Sequence, residues 1–159
     1  MQAPLNDFKR RLAAGETLHG LWMSLASPVA AEALALTGFD WLLFDTEHSP
    51  VDVAGVQPLL QAAAVGTASL VARPAWNDKV LVKRLLDIGA QTLLVPIVET
   101  ADEARAAVAA TRYPPAGVRG VAGATRASRY GMTSAYFEVA DREICVLVQI
   151  ETGAALGRL

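Results

Sequence analysis

The sequence has 159 residues, of which 14 are Lys or Arg and 16 are Asp or Glu, so its formal net charge at pH 7 is -2. This slightly acidic balance argues against a nucleic-acid-binding surface and predicts no nucleic-acid partner. Hydrophobic residues make up 53% of the chain and the mean hydropathy is +0.32, which excludes a disordered protein and predicts a sizeable core.

No apolar stretch reaches the roughly 18 residues that a membrane span requires, so no membrane partner is expected. The segment from Met1 to Arg11 contains no apolar signal-peptide run. These features predict a soluble, cytoplasmic protein. The single cysteine, Cys145, lies in an apolar run and is interpreted as a buried thiol rather than a reactive one.

Apolar runs rich in β-branched residues alternate with Ala/Leu-rich segments of helical period, which is typical of repeated βα units and a parallel sheet. The five predicted strands are Leu18 to Leu25, Trp41 to Phe44, Ala68 to Ala72, Thr92 to Val98, and Ile144 to Ile150. Each run is nearly continuously apolar, as expected for strands covered on both faces. The pattern predicts either a sheet covered on two sides or a barrel.

Helices are predicted before the first strand and in the intervals between strands. In chain order they are Leu5 to Ala14, Pro28 to Thr37, Val53 to Val65, the segment between Asp78 and Gly89, and Ala101 to Ala110. Pro58 indicates a kink or a late start of the third helix. Arg112 to Glu143 is rich in turn and polar residues and predicts a long ordered loop with a short helix near Ser134 to Ala140.

Polar side chains follow four consecutive predicted strands. The second strand runs into Asp45-Thr46-Glu47-His48, the third into Arg73, the fourth toward Glu99, and the fifth into Gln149-Ile150-Glu151. In parallel α/β folds catalytic residues converge at this edge. Each residue alone has a structural explanation, such as a helix cap, a solvated histidine or a salt-bridge partner, but their coincidence indicates an active site.

Residues two apart in a strand share a face, so Gln149 and Glu151 are expected to point the same way, as are Asp45 and Glu47. Buried carboxylates need a compensating cation, which is a metal ion or Arg73, or they must share protons. A divalent metal is the favoured answer, and an oxygen ligand such as Glu151 suits Mg or Mn. The sequence offers no obvious second ligand.

Five segments, in order, resemble motifs of the HpcH/HpaI aldolases. They are Leu43 to His48, Val71 to Asp78, Leu85 to Pro96, Arg112 to Gly120, and Val146 to Thr152. The resemblance extends from about Leu18 to the last residue. It implies a class II, metal-dependent pyruvate aldolase that acts on 4-hydroxy-2-oxo acids, including 2-keto-3-deoxy sugar acids. The implied fold is a (β/α)8 TIM barrel of the phosphoenolpyruvate/pyruvate-binding type.

The resemblance also implies a role for each candidate residue. His48 would be the general base, and Asp87 the carboxylate that raises its basicity. Arg73 would hold the ketone oxygen and stabilise the enolate, and Gln149 would contact pyruvate. Glu151 would bind Mg, Mn or Co. Asp45 and Glu47 are added as supporting carboxylates because they are expected to share a face of the strand end. The implied partners are a 2-oxo acid, an aldehyde and further copies of the chain, since hexamers are common in the family.

The remaining chemistry-bearing residues receive other interpretations. The three lysines, Lys9, Lys79 and Lys83, fall in predicted helices, which disfavours a Schiff-base mechanism. Arg119, Arg126 and Arg129 are interpreted either as contacts to substrate or a neighbouring subunit, or as solvated loop charges. His19 is expected to be structural, and Trp22 and Trp41 are expected to lie in the core.

A (β/α)8 domain takes about 250 residues, and five strands cannot close a barrel. Residues 1–159 are therefore interpreted as a single domain that forms the N-terminal portion of such a barrel, with a second acidic metal ligand expected beyond Leu159. Two other functions stay open. One is a citrate-lyase β-chain-like or other enolate carbon-carbon lyase, and the other is an inactive truncated half-barrel with a structural role or none.

Overall fold

A computed structural model describes all 159 residues and contains one five-stranded parallel sheet. The strands are β1 (Gly20–Met23), β2 (Trp41–Asp45), β3 (Ser69–Arg73), β4 (Thr92–Val95) and β5 (Cys145–Val148). Their order in space is the order in the chain, β1-β2-β3-β4-β5. A doubly wound sheet reverses its strand order at a switch point, whereas a βα barrel does not. The sheet therefore corresponds to consecutive strands of a barrel.

All five predicted strands are confirmed, with ends that differ by at most three residues. The largest difference is in β4, which ends at Val95 instead of Val98. Pro96 follows and has no N–H to donate to a ladder, and Ile97 then adopts a positive φ of 47°. These two residues turn the chain away from the sheet.

The helices lie in the intervals that the sequence pattern predicts. They are α1 (Asp7–Ala13), α2 (Pro28–Ala35), α3 (Val53–Ala63), α4 (Lys79–Asp87), α5 (Ala101–Thr111), α6 (Tyr136–Val139) and α7 (Gly153–Leu156), with 3-10 turns at Arg126–Ser128 and Ala140–Glu143. None of the helices combines the length and the apolar character that crossing a bilayer requires.

The third helix shows how burial overrides a local signal. It begins at Val53, where the Asp52 side chain accepts a hydrogen bond from the backbone N–H of Gly55, and it continues through Pro58. The predicted late start is therefore wrong. Val56, Leu59, Leu60 and Ala63 are buried along one face of α3, and each large apolar side chain buried in this way contributes about 1.5–3 kcal/mol. This gain offsets the hydrogen bond that proline cannot make.

The amino end of the sheet is covered by the N-terminal segment. Asn6, 4% exposed, donates through its side-chain amide to the carbonyls of Gln91 and Glu143 and to the Thr92 hydroxyl, at 3.0–3.2 Å. The segment 112–143 is ordered as predicted and packs around a small cluster of Tyr113, Ala127, Tyr136 and Ala140. Half-buried Cys145 lies in β5, and burial raises the pKa of its thiol.

The contact between α2 and α3 gives the first prediction. A Cβ on Gly66 would overlap the carbonyl oxygen of Ala35 and lie 2.8 Å from its Cβ, and backbone at a helix end cannot yield easily. We expect Gly66→Ala to lower the free energy of unfolding by about 1–3 kcal/mol, measured by urea denaturation. Gly123→Ala is the matched control, because nothing lies within 4 Å of its Cβ position. Equal stability of the two variants would contradict this close approach.

Candidate active site at the carboxyl end of the sheet

Two oppositely charged residues end neighbouring strands and lie opposite each other. Asp45 is the last residue of β2, Arg73 is the last residue of β3, and the two are in register. Asp45 is 2% exposed and Arg73 is 6% exposed. The Nε of Arg73 donates to Oδ1 of Asp45 at 2.9 Å, and Nη2 donates to Oδ2 at 2.6 Å. This two-pronged pairing fixes the edge of the guanidinium that carries Nε and Nη2.

Three further donors converge on the Asp45 carboxylate. The backbone N–H groups of Glu47 and His48 donate to Oδ1 at 2.9 and 3.3 Å, and the indole N–H of Trp22 donates to Oδ2 at 3.2 Å. Burial alone would raise the pKa of Asp45, but the hydrogen bonds from Arg73, Glu47 and Trp22 outweigh it and lower the pKa to about 2. Asp45 is therefore an anion at neutral pH.

The third nitrogen of the guanidinium, Nη1, points away from Asp45. It lies 2.9 Å from Oε2 of Glu47 and 3.4 Å from Oε1 of Gln149. Burial would lower the pKa of Arg73, but its bond to Asp45 and the charges of Asp45, Glu47 and Glu151 raise it. Arg73 is thus a fixed cation with one nitrogen directed across the ends of the strands.

Gln149 and Glu151 follow β5 and are tied to the segment after β4. Nε2 of Gln149 lies 3.5 Å from Oε2 of Glu151, and the Gln149 carbonyl accepts the N–H of Val98 at 3.1 Å. The backbone N–H of Ile97 donates to Oε1 of Glu151 at 2.8 Å. A positive φ is costly for a β-branched residue, and strain of this kind clusters at functional sites. The turn at Ile97 thus helps to hold Glu151 beside Gln149.

His48 lies at the open rim of this cluster. Its side chain is 74% exposed, and Nε2 lies 3.5 Å from Oε1 of Glu47, which is only 10% exposed. Glu47 contacts Arg73, Arg73 contacts Gln149, and Gln149 contacts Glu151. The structure therefore brings six of the seven candidate site residues into one continuous cluster: Asp45, Glu47, His48, Arg73, Gln149 and Glu151.

Asp87 does not join the cluster. It is the last residue of α4, which runs from the carboxyl end of β3 back toward the amino end of β4. Its Oδ1 accepts a hydrogen bond from Nη2 of Arg119 at 3.0 Å. Asp87 is therefore at the opposite end of the sheet from His48, and the predicted support of His48 by Asp87 is not formed within this chain.

Arg119 differs from the solvated charge that was one of its two interpretations. It is 1% exposed, and its guanidinium lies over the ring of Tyr113 with Cζ 4.5 Å from the ring centroid. Arg126 donates to the carbonyl of Ile88 at 2.7 Å, while Arg129 is exposed. The loop arginines are thus distributed between a partly buried ion pair, a backbone contact and the surface.

Trp22 is the site residue that the sequence analysis missed. The expectation that it lies in the core is wrong, because it is 41% exposed, while Trp41 is half-buried. The ring of Trp22 lies under the guanidinium of Arg73, with Cζ 4.6 Å from the ring centroid. The feature of the sequence that could have identified Trp22 as a site residue is its position near the carboxyl end of β1, one strand away from Asp45.

The carboxylates and the histidine of this cluster do not form a metal centre by themselves. No group of three or more His, Cys, Asp or Glu residues among residues 1–159 is arranged to hold a metal ion. Glu151 offers one exposed carboxylate, and its Oε1 already accepts the N–H of Ile97. Both oxygens of Asp45 are occupied by Arg73, Trp22 and backbone donors. Glu151 is therefore the exposed carboxylate of the cluster, while Glu47 lies largely buried against Arg73.

Comparison with known proteins gives consistent matches over this region. Residues 18–159 match the family model described as HpcH/HpaI aldolase/citrate lyase. The chain is 60% identical over 159 residues to a pyruvate aldolase of Rhizobium etli. It is 56% identical over 155 residues, 97% of the chain, to a 4-hydroxy-2-oxo-heptane-1,7-dioate aldolase of Salmonella typhimurium.

The fold has a close counterpart among solved structures. A HpcH/HpaI aldolase/citrate lyase family protein from Burkholderia cenocepacia superposes with a TM-score of 0.94 at 44% identity, covering 96% of this chain and 62% of the other. The chain spans 63% of the length of the Rhizobium etli protein and 59% of the Salmonella typhimurium protein. The matches thus cover nearly all of this chain but only part of each relative.

The low pKa of Asp45 predicts a specific loss of stability in acid. Because this pKa falls from 3.8 to about 2 on folding, the ionised carboxylate stabilises the fold above pH 4, and this contribution disappears as the pH falls through 2. Asp45→Asn cannot titrate, so its stability deficit relative to wild type should shrink by about 2 kcal/mol between pH 5 and pH 2 in urea unfolding.

A constant deficit across this range would contradict the assignment. If Asp45→Asn does not fold, carbon-13 NMR of the wild-type carboxyl group provides the same test, with a midpoint expected near 2 rather than near 4.

Proposed function

The chain belongs to the HpcH/HpaI aldolase/citrate lyase family, and on this basis we propose that it forms the N-terminal part of a pyruvate aldolase. The proposed reaction is the reversible cleavage of 4-hydroxy-2-oxo acids into pyruvate and an aldehyde. The observation that carries the proposal is the direction of Arg73, which Asp45 holds along one edge while Nη1 points toward Gln149. The names of the two relatives, both aldolases, support the same reaction.

Arg73 is suited to stabilise the charge that the cleavage creates. When the bond between carbons 3 and 4 breaks, its electron pair stays with carbon 3 and delocalises onto the carbon 2 oxygen as an enolate. A cation that is already fixed in place stabilises such an oxyanion without reorganising during the reaction. Nη1 is the guanidinium nitrogen that does not bond to Asp45, and the keto oxygen would meet it beside its contacts with Glu47 and Gln149.

Gln149 is placed to hold the pyruvate half of the substrate. Its Oε1 faces Arg73, and its Nε2 has only a 3.5 Å contact to Glu151. The amide N–H groups are therefore available to donate to the carboxylate of a 2-oxo acid. This contact orients the keto oxygen toward Arg73.

His48 is the proposed base. It takes the proton of the 4-hydroxyl group as the aldehyde forms, directly or through water, and it can return that proton to carbon 3 of the enolate. Its exposed side chain is open to a substrate, and Glu47 lies 3.5 Å from Nε2, where it can pair with the charged ring. Within this chain Glu47, not Asp87, is the carboxylate beside His48.

The positions of the three lysines do not support a Schiff-base route. Lys9 lies on α1, where its ammonium group donates to the carbonyls of Arg142 and Ile144. Lys79 and Lys83 lie on α4. A Schiff-base aldolase needs a lysine directed at the substrate carbonyl from the site itself, which favours the enolate route described above.

We propose that the complete protein depends on a divalent cation, Mg, Mn or Co, with Glu151 as the ligand that this chain contributes. Such a cation acts as a Lewis acid at the keto oxygen. No group of three or more metal-ligating residues lies among residues 1–159, and further ligands from outside them are part of this proposal. The roles of Arg73, Gln149 and His48 given above do not depend on that cation.

The family description also covers citrate lyases, and a citrate-lyase-like reaction on a coenzyme A thioester is the second candidate. Aldol cleavage is favoured because the relatives at 60% and 56% identity are named aldolases. The third interpretation, an inactive half-barrel, makes the opposite prediction for the experiment below.

The test joins residues 1–159 to the C-terminal remainder of the Rhizobium etli relative. The resulting chimera should release pyruvate from 4-hydroxy-2-oxoheptanedioate, followed by coupled NADH oxidation with lactate dehydrogenase. His48→Asn should lower kcat by about 10²–10⁴-fold, since it removes the general base. His19→Asn is the matched control, because His19 precedes β1 at the opposite end of the sheet, and its kcat should match that of the parent chimera.

Three outcomes would count against the proposal. The first is a folded chimera without turnover, and the second is a chimera that accepts only coenzyme A thioesters. The third is equal activity of the two histidine variants. Turnover that survives EDTA would contradict the metal requirement. Residues 1–159 assayed alone, with Mn²⁺ added, are expected to show no turnover, because no group of three or more metal-ligating residues lies among them.

The position of Asp87 bears on oligomeric state. Asp87 can support a His48 imidazole only if the two belong to different copies of the chain, so we propose a homo-oligomer whose sites are shared between subunits. In the chimera, Asp87→Asn and His48→Asn should each be nearly inactive, while a coexpressed mixture should regain a measurable part of the activity. If the mixture stays as inactive as the single variants, the sites are not shared in this way.

A further inference from the structure

We propose that Trp22 is a positioning residue for Arg73, which holds the guanidinium and its partner carboxylate in the orientation that a bound 2-oxo acid meets. This inference rests on the proposed function. It concerns a residue that touches both members of the central ion pair, and it assigns to Trp22 a role through Arg73 rather than a contact with the reacting atoms.

One indole ring contacts both charges of the pair. The indole N–H of Trp22 donates to Oδ2 of Asp45 at 3.2 Å, and the face of the ring lies 4.6 Å from Cζ of Arg73. The same Oδ2 accepts the 2.6 Å bond from Nη2 of Arg73. The ring therefore bridges the anion and the cation, and neither can shift without changing its contact with Trp22.

The two contacts of Arg73 constrain different motions. Pairing with Asp45 through Nε and Nη2 fixes the guanidinium along one edge but allows it to tilt about that edge. A ring with Cζ of Arg73 lying over it, 4.6 Å from its centroid, opposes this tilt, because the cation–π attraction depends on the position of the cation over the ring. The tilt sets where Nη1 points, and Nη1 is the nitrogen that faces Gln149 and the proposed keto oxygen.

The contacts of Trp22 differ from those of the other tryptophan in the sheet. Its indole N–H and its ring meet the two charged side chains of the site. Trp41 shows the contrasting case, since its indole N–H donates to the Leu18 carbonyl and it lies at the amino end of β2. The two tryptophans thus form a matched pair, of which only Trp22 contacts the site.

The test uses nitrogen-15-labelled residues 1–159 and the side-chain Nε–H resonance of Arg73, assigned by its loss in Arg73→Lys. A proton held over an aromatic face is shielded, and the bond to Asp45 slows its exchange with water. In Trp22→Leu we expect this resonance to lose its shielding and to exchange several-fold faster. Trp22→Phe, which keeps a ring but lacks the N–H, should be intermediate, and Trp41→Phe should leave the resonance unchanged.

A second arm titrates pyruvate against the same resonance. Loss of the stacked ring should raise the Kd for pyruvate roughly three- to tenfold in Trp22→Leu, with a smaller rise in Trp22→Phe and none in Trp41→Phe. If Trp22→Leu does not fold, both measurements are made on Trp22→Phe. This variant lacks the indole N–H that donates to Asp45, and that loss alone should shift the Arg73 resonance.

The two proposals fail in different ways. An Arg73 resonance that is unchanged in the Trp22 variants, or an unchanged Kd for pyruvate in those variants, would overturn the role of Trp22. Absence of any pyruvate response in the wild-type chain, together with an Arg73 resonance that moves in Trp22→Leu, would instead remove support for the proposed function and leave the positioning of Arg73 by Trp22 intact.

Discussion

The buried ion pair between Asp45 and Arg73 is the interaction on which the rest of the site depends. Both residues are more than nine-tenths buried, and removing two charges from water costs several kcal/mol per ion unless their hydrogen bonds are met. Here the carboxylate accepts from two guanidinium nitrogens, two backbone N–H groups and an indole. The cost is thereby offset, and the guanidinium is left with one fixed orientation.

That orientation depends on strand register. Asp45 and Arg73 are directly opposed at the ends of β2 and β3, so a slip of one residue would move one of them to the other face of the sheet. Register in turn depends on the core beneath, where Leu42, Phe44 and Ala72 are buried on the same two strands. The apolar core therefore has a direct functional consequence, since it determines which charged groups meet at the edge.

The remaining groups extend the pair in two directions. Glu47 links it to His48 on one side, and Gln149 links it to Glu151 on the other. His48 and Glu151 thus lie on either side of a fixed cation, which is the arrangement that the proposed enolate chemistry requires. The strained turn at Ile97 contributes to this arrangement, because the Ile97 N–H donates to the Glu151 carboxylate.

The amino-acid sequence by itself determined the architecture and most of the site. Apolar runs at regular intervals predicted all five strands, because fully covered strands need continuous apolar side chains. The directionality of parallel strands then placed Asp45, Arg73, Gln149 and Glu151 at one edge.

The tertiary structure decided the position of Asp87 and the contacts of Trp22, because both depend on how elements are oriented in space. Helix α4 runs back across the sheet, so Asp87 lies at the opposite end from His48 and pairs with Arg119. In the sequence Trp22 looks like an ordinary apolar strand residue, but in the structure its ring bridges Asp45 and Arg73. The periodicity of a chain does not encode which side chains of neighbouring strands a residue will contact.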